Sequence, residues 1–149
     1  MGLIDHILDR VRDSAADEAA RTAPVPRLAE SFDEHRYALL VSYRRSGAAV
    51  PTPVWFARHG RSIYIRTQRT SAKVSRIRRN PTVLIAPSSP RGRPLGPPVT
   101  AAARIVDDPV EAERAERALA RKYSLGRRLY RRVAGSGDAV YLAVELPKP

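Results

Sequence analysis

The stretch SIYIRTQRTSAKVSRIRRNPTVLIA, residues 62–86, reads as strand, basic helix and second strand. Ile63 and Ile65 alternate against Tyr64 and Arg66, the pattern of a half-buried strand over 62–67. Thr70 or Ser71 is placed to cap a helix over Ser71–Arg79, Val74 and Ile77 lie one turn apart on its inner side, and Pro81 ends it. The run TVLIA, residues 82–86, then resumes as a strand. Between Arg69 and Arg79 five of eleven residues are basic. Lys73 and Arg76, three apart, are neighbours on the helix, with Arg69 one turn earlier, whereas Arg78 and Arg79 point elsewhere.

Outward from this unit the chain continues in short strands. RYALLVSY (36–43), AVPTPVWFA (49–57), VTAAARIV (99–106) and AVYLAVEL (139–146) are rich in strand formers and bounded by turn residues. Pro51 and Pro53 cannot donate ladder hydrogen bonds, so part of 49–57 is expected at an edge, a bulge or a ligand-facing opening. Asp108 with Pro109 opens a helix through about Tyr123, with Glu111 placed for a capping box. LIDHILDRVRD (3–13) has helical apolar spacing, AADEAARTAPVP (15–26) reads as a linker, and RLAESFDEH (27–35) as a short helix. The expected organisation is an amino-terminal helix and linker over 1–30 and one domain over 31–149. Its class is mainly β (α+β), a six-stranded β-barrel with flanking helices.

Charge separates the middle of the chain from its ends. The net charge is +12, yet residues 35–106 contain fourteen Lys or Arg and no Asp or Glu. A one-signed region of this kind concentrates an anionic partner. Only three of the 27 basic residues are lysines, an arginine bias that by itself gives a solvated basic surface. There is no cysteine, which removes disulfides, thiolate ligands and cysteine nucleophiles and suits a reducing cytoplasm. The three histidines have no ligand spacing, so no metal site is expected. No apolar run approaches the roughly 20 residues that span a bilayer, and no export signal opens the chain. A soluble cytoplasmic protein is expected.

No P-loop, dinucleotide-binding glycine turn, zinc-protease pair or nucleophile elbow occurs. With no carboxylate across the central strands, acid–base catalysis by paired carboxylates has no place there, and reactivity borrowed from a cofactor fits better. The device best suited to holding one is RTQRTSAK. A strand ends at Arg66 and Thr67, hydroxyls follow at Thr70 and Ser71, and a helix begins whose free amides favour an anion, with Lys73 on its first turn. Caps and a solvated lysine explain the same residues without a ligand.

Taken together, PTPVWFARHGRSIYIRT, SAKVSRIRRNPTV and RGRPLGPPVTAAARIV resemble the flavin and deazaflavin split-barrel proteins. These are similar in fold to pyridoxamine-phosphate oxidase, and the likeness points to their branch of coenzyme F420-dependent oxidoreductases. It covers about residues 36–146; the amino-terminal thirty or so residues lie outside it, and the loop SSPRGRPLGPP is unusually rich in proline. The resemblance implies a homodimer of split barrels with a cofactor in the groove between protomers. It assigns the phosphate to Arg66, Thr67, Ser71 and Lys73, and sets the strand carrying Pro53, Val54 and Trp55 beside the ring system. Arg69, Arg76 and Arg91 would line the path of an anionic tail. F420, with a phosphate and a polyglutamate tail, carries more negative charge than FMN, so F420 is the expected cofactor and FMN the alternative. The expected activity is hydride transfer to or from a small organic substrate, with no catalytic acid or base assigned. A nucleic-acid-binding module is the rival class; only nine aromatics stand against the interleaved rings such modules use, and a cofactor carrier without turnover is a third.

Overall fold

The computed structural model describes residues 14–123 and 138–148. The helix expected over 3–13 and most of the basic RKYSLGRRLYRRV stretch lie outside them. Seven strands form one antiparallel sheet: β1 (Tyr37–Tyr43), β2 (Ala49–Trp55), β3 (Ala57–His59), β4 (Ser62–Gln68), β5 (Thr82–Ser88), β6 (Val99–Ile105) and β7 (Ala139–Glu145). Their order is β2-β1-β5-β6-β7-β4-β3. Seven replaces the expected six because 49–57 does not run as one strand. It breaks at Phe56, and its halves pair with different neighbours, β2 with β1 and β3 with β4.

That break closes the barrel. The first and last strands in the sheet order are two parts of a single bent segment, so the sheet rolls up through Phe56. A seam remains beside it. β2 has a ladder only with β1, and β4 pairs with β3 only over Ser62–Tyr64. The edge of β4 from Ile65 to Gln68 therefore faces the far edge of β2, and the two strands approach without a ladder. The β1–β2 register runs unbroken through Leu39↔Pro53 and Val41↔Pro51. The missing proline amides thus fall on the seam edge, where they interrupt no bond.

Alternation sorts the strands. Ala38, Leu40, Val54, Phe56, Ile63, Ile65, Val83 and Ile85 fill the barrel with Val99, Leu142 and Val144. One mouth is closed by a 3-10 turn at Ala29–Phe32, shorter than the helix expected there, whose Phe32 meets Phe56 edge-on at 5.9 Å. The other mouth is covered by α2 (Ala72–Arg79), which contributes Val74 and Ile77 to the same core.

The outer face carries two further helices. α1 (Ala15–Ala19) lies in what the sequence reads as linker; its small Ala16 and Ala19 pack flat on Leu39, Val41 and Leu84. α3 (Pro109–Lys122) opens as expected, with the Asp108 side chain accepting the Val110 amide. The expected capping box does not form, because the Glu111 carboxylate is taken by Arg104 and Tyr64. None of the described helices is long and apolar enough to cross a membrane.

Candidate functional site

The cradle forms where β4 runs into α2. The Thr67 hydroxyl donates to Ser71 Oγ at 3.1 Å, and both residues are buried. Ser71 is the N-cap residue of α2, as expected from sequence, but its side chain makes no capping bond. The Ser71 hydroxyl is thus not spent on the first amides of α2, and the helix dipole puts partial positive charge at the same point. Lys73 follows on the first turn and is only 6% exposed, against the ordinary expectation of a solvated lysine. Lysine is rarely this buried, so its place on the first turn, two residues after Ser71, singles out the start of α2.

The eight residues singled out from sequence divide between the two faces of the seam. Thr67, Ser71 and Lys73 belong to the covered mouth, and Val54 lies in the barrel interior. By strand alternation Pro53, Trp55 and Arg66 project outward. Extending the β3–β4 register, Ala57↔Tyr64, by two residues sets Trp55 across from Arg66 and, one further on, Val54 across from Thr67. Both halves of the set thus lie where β2 and β4 meet at the seam.

Arg76 is placed differently from a free anion ligand. Its Nε donates to the buried Ser42 Oγ at 2.7 Å, tying α2 to β1. Arg79 donates to the Tyr43 carbonyl at 3.4 Å. Arg69 is engaged by Asp138, with Nε and Oδ1 3.1 Å apart. Two of the three arginines expected along an anionic tail are thus already tethered.

On the outer side, Trp55 stacks on Tyr123 with ring centres 4.9 Å apart and meets Tyr37 edge-on at 6.3 Å. Tyr123 ends α3, and its hydroxyl sits at the β2–β3 break. It accepts the Phe56 amide hydrogen at 3.0 Å and lies 2.8 Å from the Phe56 carbonyl and 2.6 Å from that of Arg36, to which its one proton is available. Burial holds the Tyr123 hydroxyl well above the ordinary phenol range. Next to it Lys122 Nζ lies 3.4 Å from the Phe56 ring centre, and burial lowers its pKa to about 8. Sequence reading missed Tyr123 and Ser42 because their partners are 67, 87 and 34 residues away; no local pattern signals either.

A folded barrel whose seam is flanked by a buried cationic cradle can be compared with known proteins. Residues 25–145 match the pyridoxamine 5'-phosphate oxidase family. The chain belongs to that family. Among solved structures, this family member is similar to an F420 reductase, at 20% identity, with 83% of this chain and 97% of that one covered and a TM-score of 0.53. It is similar to an FAD-binding protein from Mesorhizobium loti at 12% identity, covering 80% and 84%, with a TM-score of 0.60. It is equally similar to the heme storage protein HutZ from Vibrio cholerae, at 12% identity, covering 80% and 88%, with a TM-score of 0.60. At these identities the likeness establishes the split-barrel fold. No curated protein matches the chain.

Proposed function

We propose that the protein is an oxidoreductase that binds the deazaflavin coenzyme F420 at the seam and uses it on a small reducible organic compound. The observation that carries this reading is the clustering of three buried polar residues, Thr67, Ser71 and Lys73, where β4 runs into α2. The Ser71 hydroxyl, which accepts from Thr67 and has its own proton to give, the positive end of a helix and an ammonium on its first turn are group types that suit a phosphoryl group. No carboxylate within residues 35–106 opposes it. When bound, the deazaflavin supplies hydride transfer. The chain's own residues fix its phosphate, present Trp55 and Pro53 along one side of the seam, and keep water from the barrel side through Val54 and its neighbours. A second copy of the chain completes the cleft in this reading, and its expected readout is a dimer by sedimentation.

F420 is favoured over FMN by the excess of positive charge; the same cradle accepts either phosphate. Fluorescence titration with each cofactor tests the reading. Saturable binding to F420, weakened about 10- to 100-fold in Lys73→Ala, is expected for the loss of a charge-assisted hydrogen bond. Saturation with FMN alone would transfer the reading to a flavin, and binding to neither would end it.

A further inference from the structure

On the far side of the barrel from the seam, residues 24–28, the start of β6 at Val99 and Thr100, and the tail at Pro147 and Lys148 enclose a groove of about 410 Å³. Its walls are chiefly apolar. Val25 is 40% exposed and Leu28 57% exposed. The groove is fixed rather than draped: the Val25 amide donates to the Pro98 carbonyl at 3.0 Å, pinning this segment to the proline-rich loop that the cradle leaves unused.

One cation is built into this groove. Arg27 places its guanidinium 5.7 Å from the Phe32 ring centre and donates to Ser31 Oγ at 3.4 Å. Gly96, in the proline-rich loop, makes the space, since a Cβ there would overlap Arg27 Nη2. The Arg27 Nε is shut off from solvent and has no hydrogen-bond acceptor. Neither Arg27 nor Lys148, the second cation of the groove, forms an ion pair with a carboxylate among the described residues.

We propose that this groove is a second binding site, independent of the cofactor cradle, for a small amphipathic carboxylate whose apolar body lies on Val25, Leu28 and Val99 and whose carboxylate meets Arg27 and Lys148. A planar monoanion matches a guanidinium already positioned near the Phe32 ring and against Gly96. It is also less costly to desolvate than a phosphate dianion, which suits apolar walls. Charge complementarity selects the acid over a neutral molecule of the same shape, and the volume suits a body of about eight to ten carbons.

Calorimetric titration with octanoate, and with octanol as the neutral match, tests this on the full chain. One saturable octanoate site per chain is expected, at least tenfold tighter than octanol. Arg27→Gln should weaken it about tenfold, as should Gly96→Ala, which keeps the charge and displaces the guanidinium. Lys148→Gln, on the exposed tail, should weaken it a few-fold with folding untouched, so a misfolded Arg27 variant still leaves a test. Equal affinity for octanol, no saturable site, or wild-type affinity in the variants that fold would overturn the proposal. So would loss of a dimer in Arg27→Glu without octanoate binding to the parent, which would make the groove a contact between copies.

Discussion

Two helices lie against the same barrel and treat charge in opposite ways. α3 brings carboxylates to the sheet and neutralises what it meets. Arg104 grips Glu111 with both terminal nitrogens at 2.8 Å and reaches Glu145 at 2.8 Å; Tyr64 donates to Glu111, and Tyr141 to Glu116. α2 brings only cations, two of which reach neutral acceptors, the Ser42 hydroxyl and the Tyr43 carbonyl. The α3 side is a latch whose Glu111 and Glu116 carboxylates are bonded within the chain. The α2 side, with Lys73, Arg76, Arg78 and Arg79 and no acidic residue on the helix, keeps one sign of charge along its length. The most displaced titrations, those of Glu111, Arg104, Lys122 and Tyr123, lie on or beside the latch, the first two shifted by their mutual hydrogen bonds and the last two by burial.

The contrast can be broken at its apolar base first. Leu119→Ala removes a fully buried side chain packed on Ala57 and Tyr123. It should lower the unfolding free energy by about 2–5 kcal/mol, read by denaturant titration, while the folded fraction keeps its cofactor affinity. On the other helix, Lys73→Met should cost about 10- to 100-fold in F420 affinity. Its melting temperature should stay within a few degrees of the parent's, because an apolar chain of similar size fills the same space. A large fall in melting temperature would make Lys73 a structural residue and erase the contrast.

Tyr123→Phe keeps the ring stack and deletes only the hydroxyl at the Phe56 break. A loss of about 1–2 kcal/mol is expected from the stranded backbone groups, with a shift in the emission of Trp55, which is the single tryptophan. The smallest effect is acid sensitivity at the latch. Arg104, and less so Tyr64, hold Glu111 at about 2 against an ordinary 4.5. As pH falls below about 4.5 the unfolded chain takes up the proton first. The stabilisation is therefore complete above that value and drains away towards pH 2. Because Arg104 is about half exposed, roughly 1 kcal/mol is expected. Glu111→Gln should flatten this part of the stability–pH curve.

Local pattern made part of this molecule legible. Ile63 and Ile65 revealed β4, Asp108 and Pro109 the start of α3, and Ser71 with Pro81 the limits of α2, because each signal and its structure lie within a few residues. The break at Phe56 was not visible, since its cause is a tyrosine 67 residues on. α1 hid in an alanine-rich stretch because a five-residue helix that buries methyl groups has almost no periodicity to read. In the candidate site, the residue types of the cradle were readable. The burial of Lys73 and the tether on Arg76 were not, because both depend on where α2 lands across β1 and β6.

The two prolines of β2 have a further effect on how the protein survives at high concentration. A barrel with an open slit presents raw strand edges, the usual template for runaway stacking of chains into fibrils. Pro51 and Pro53 offer no hydrogen to an intruding strand at two alternate positions along that slit. The β2 side of the seam is thus a poor template for an added strand.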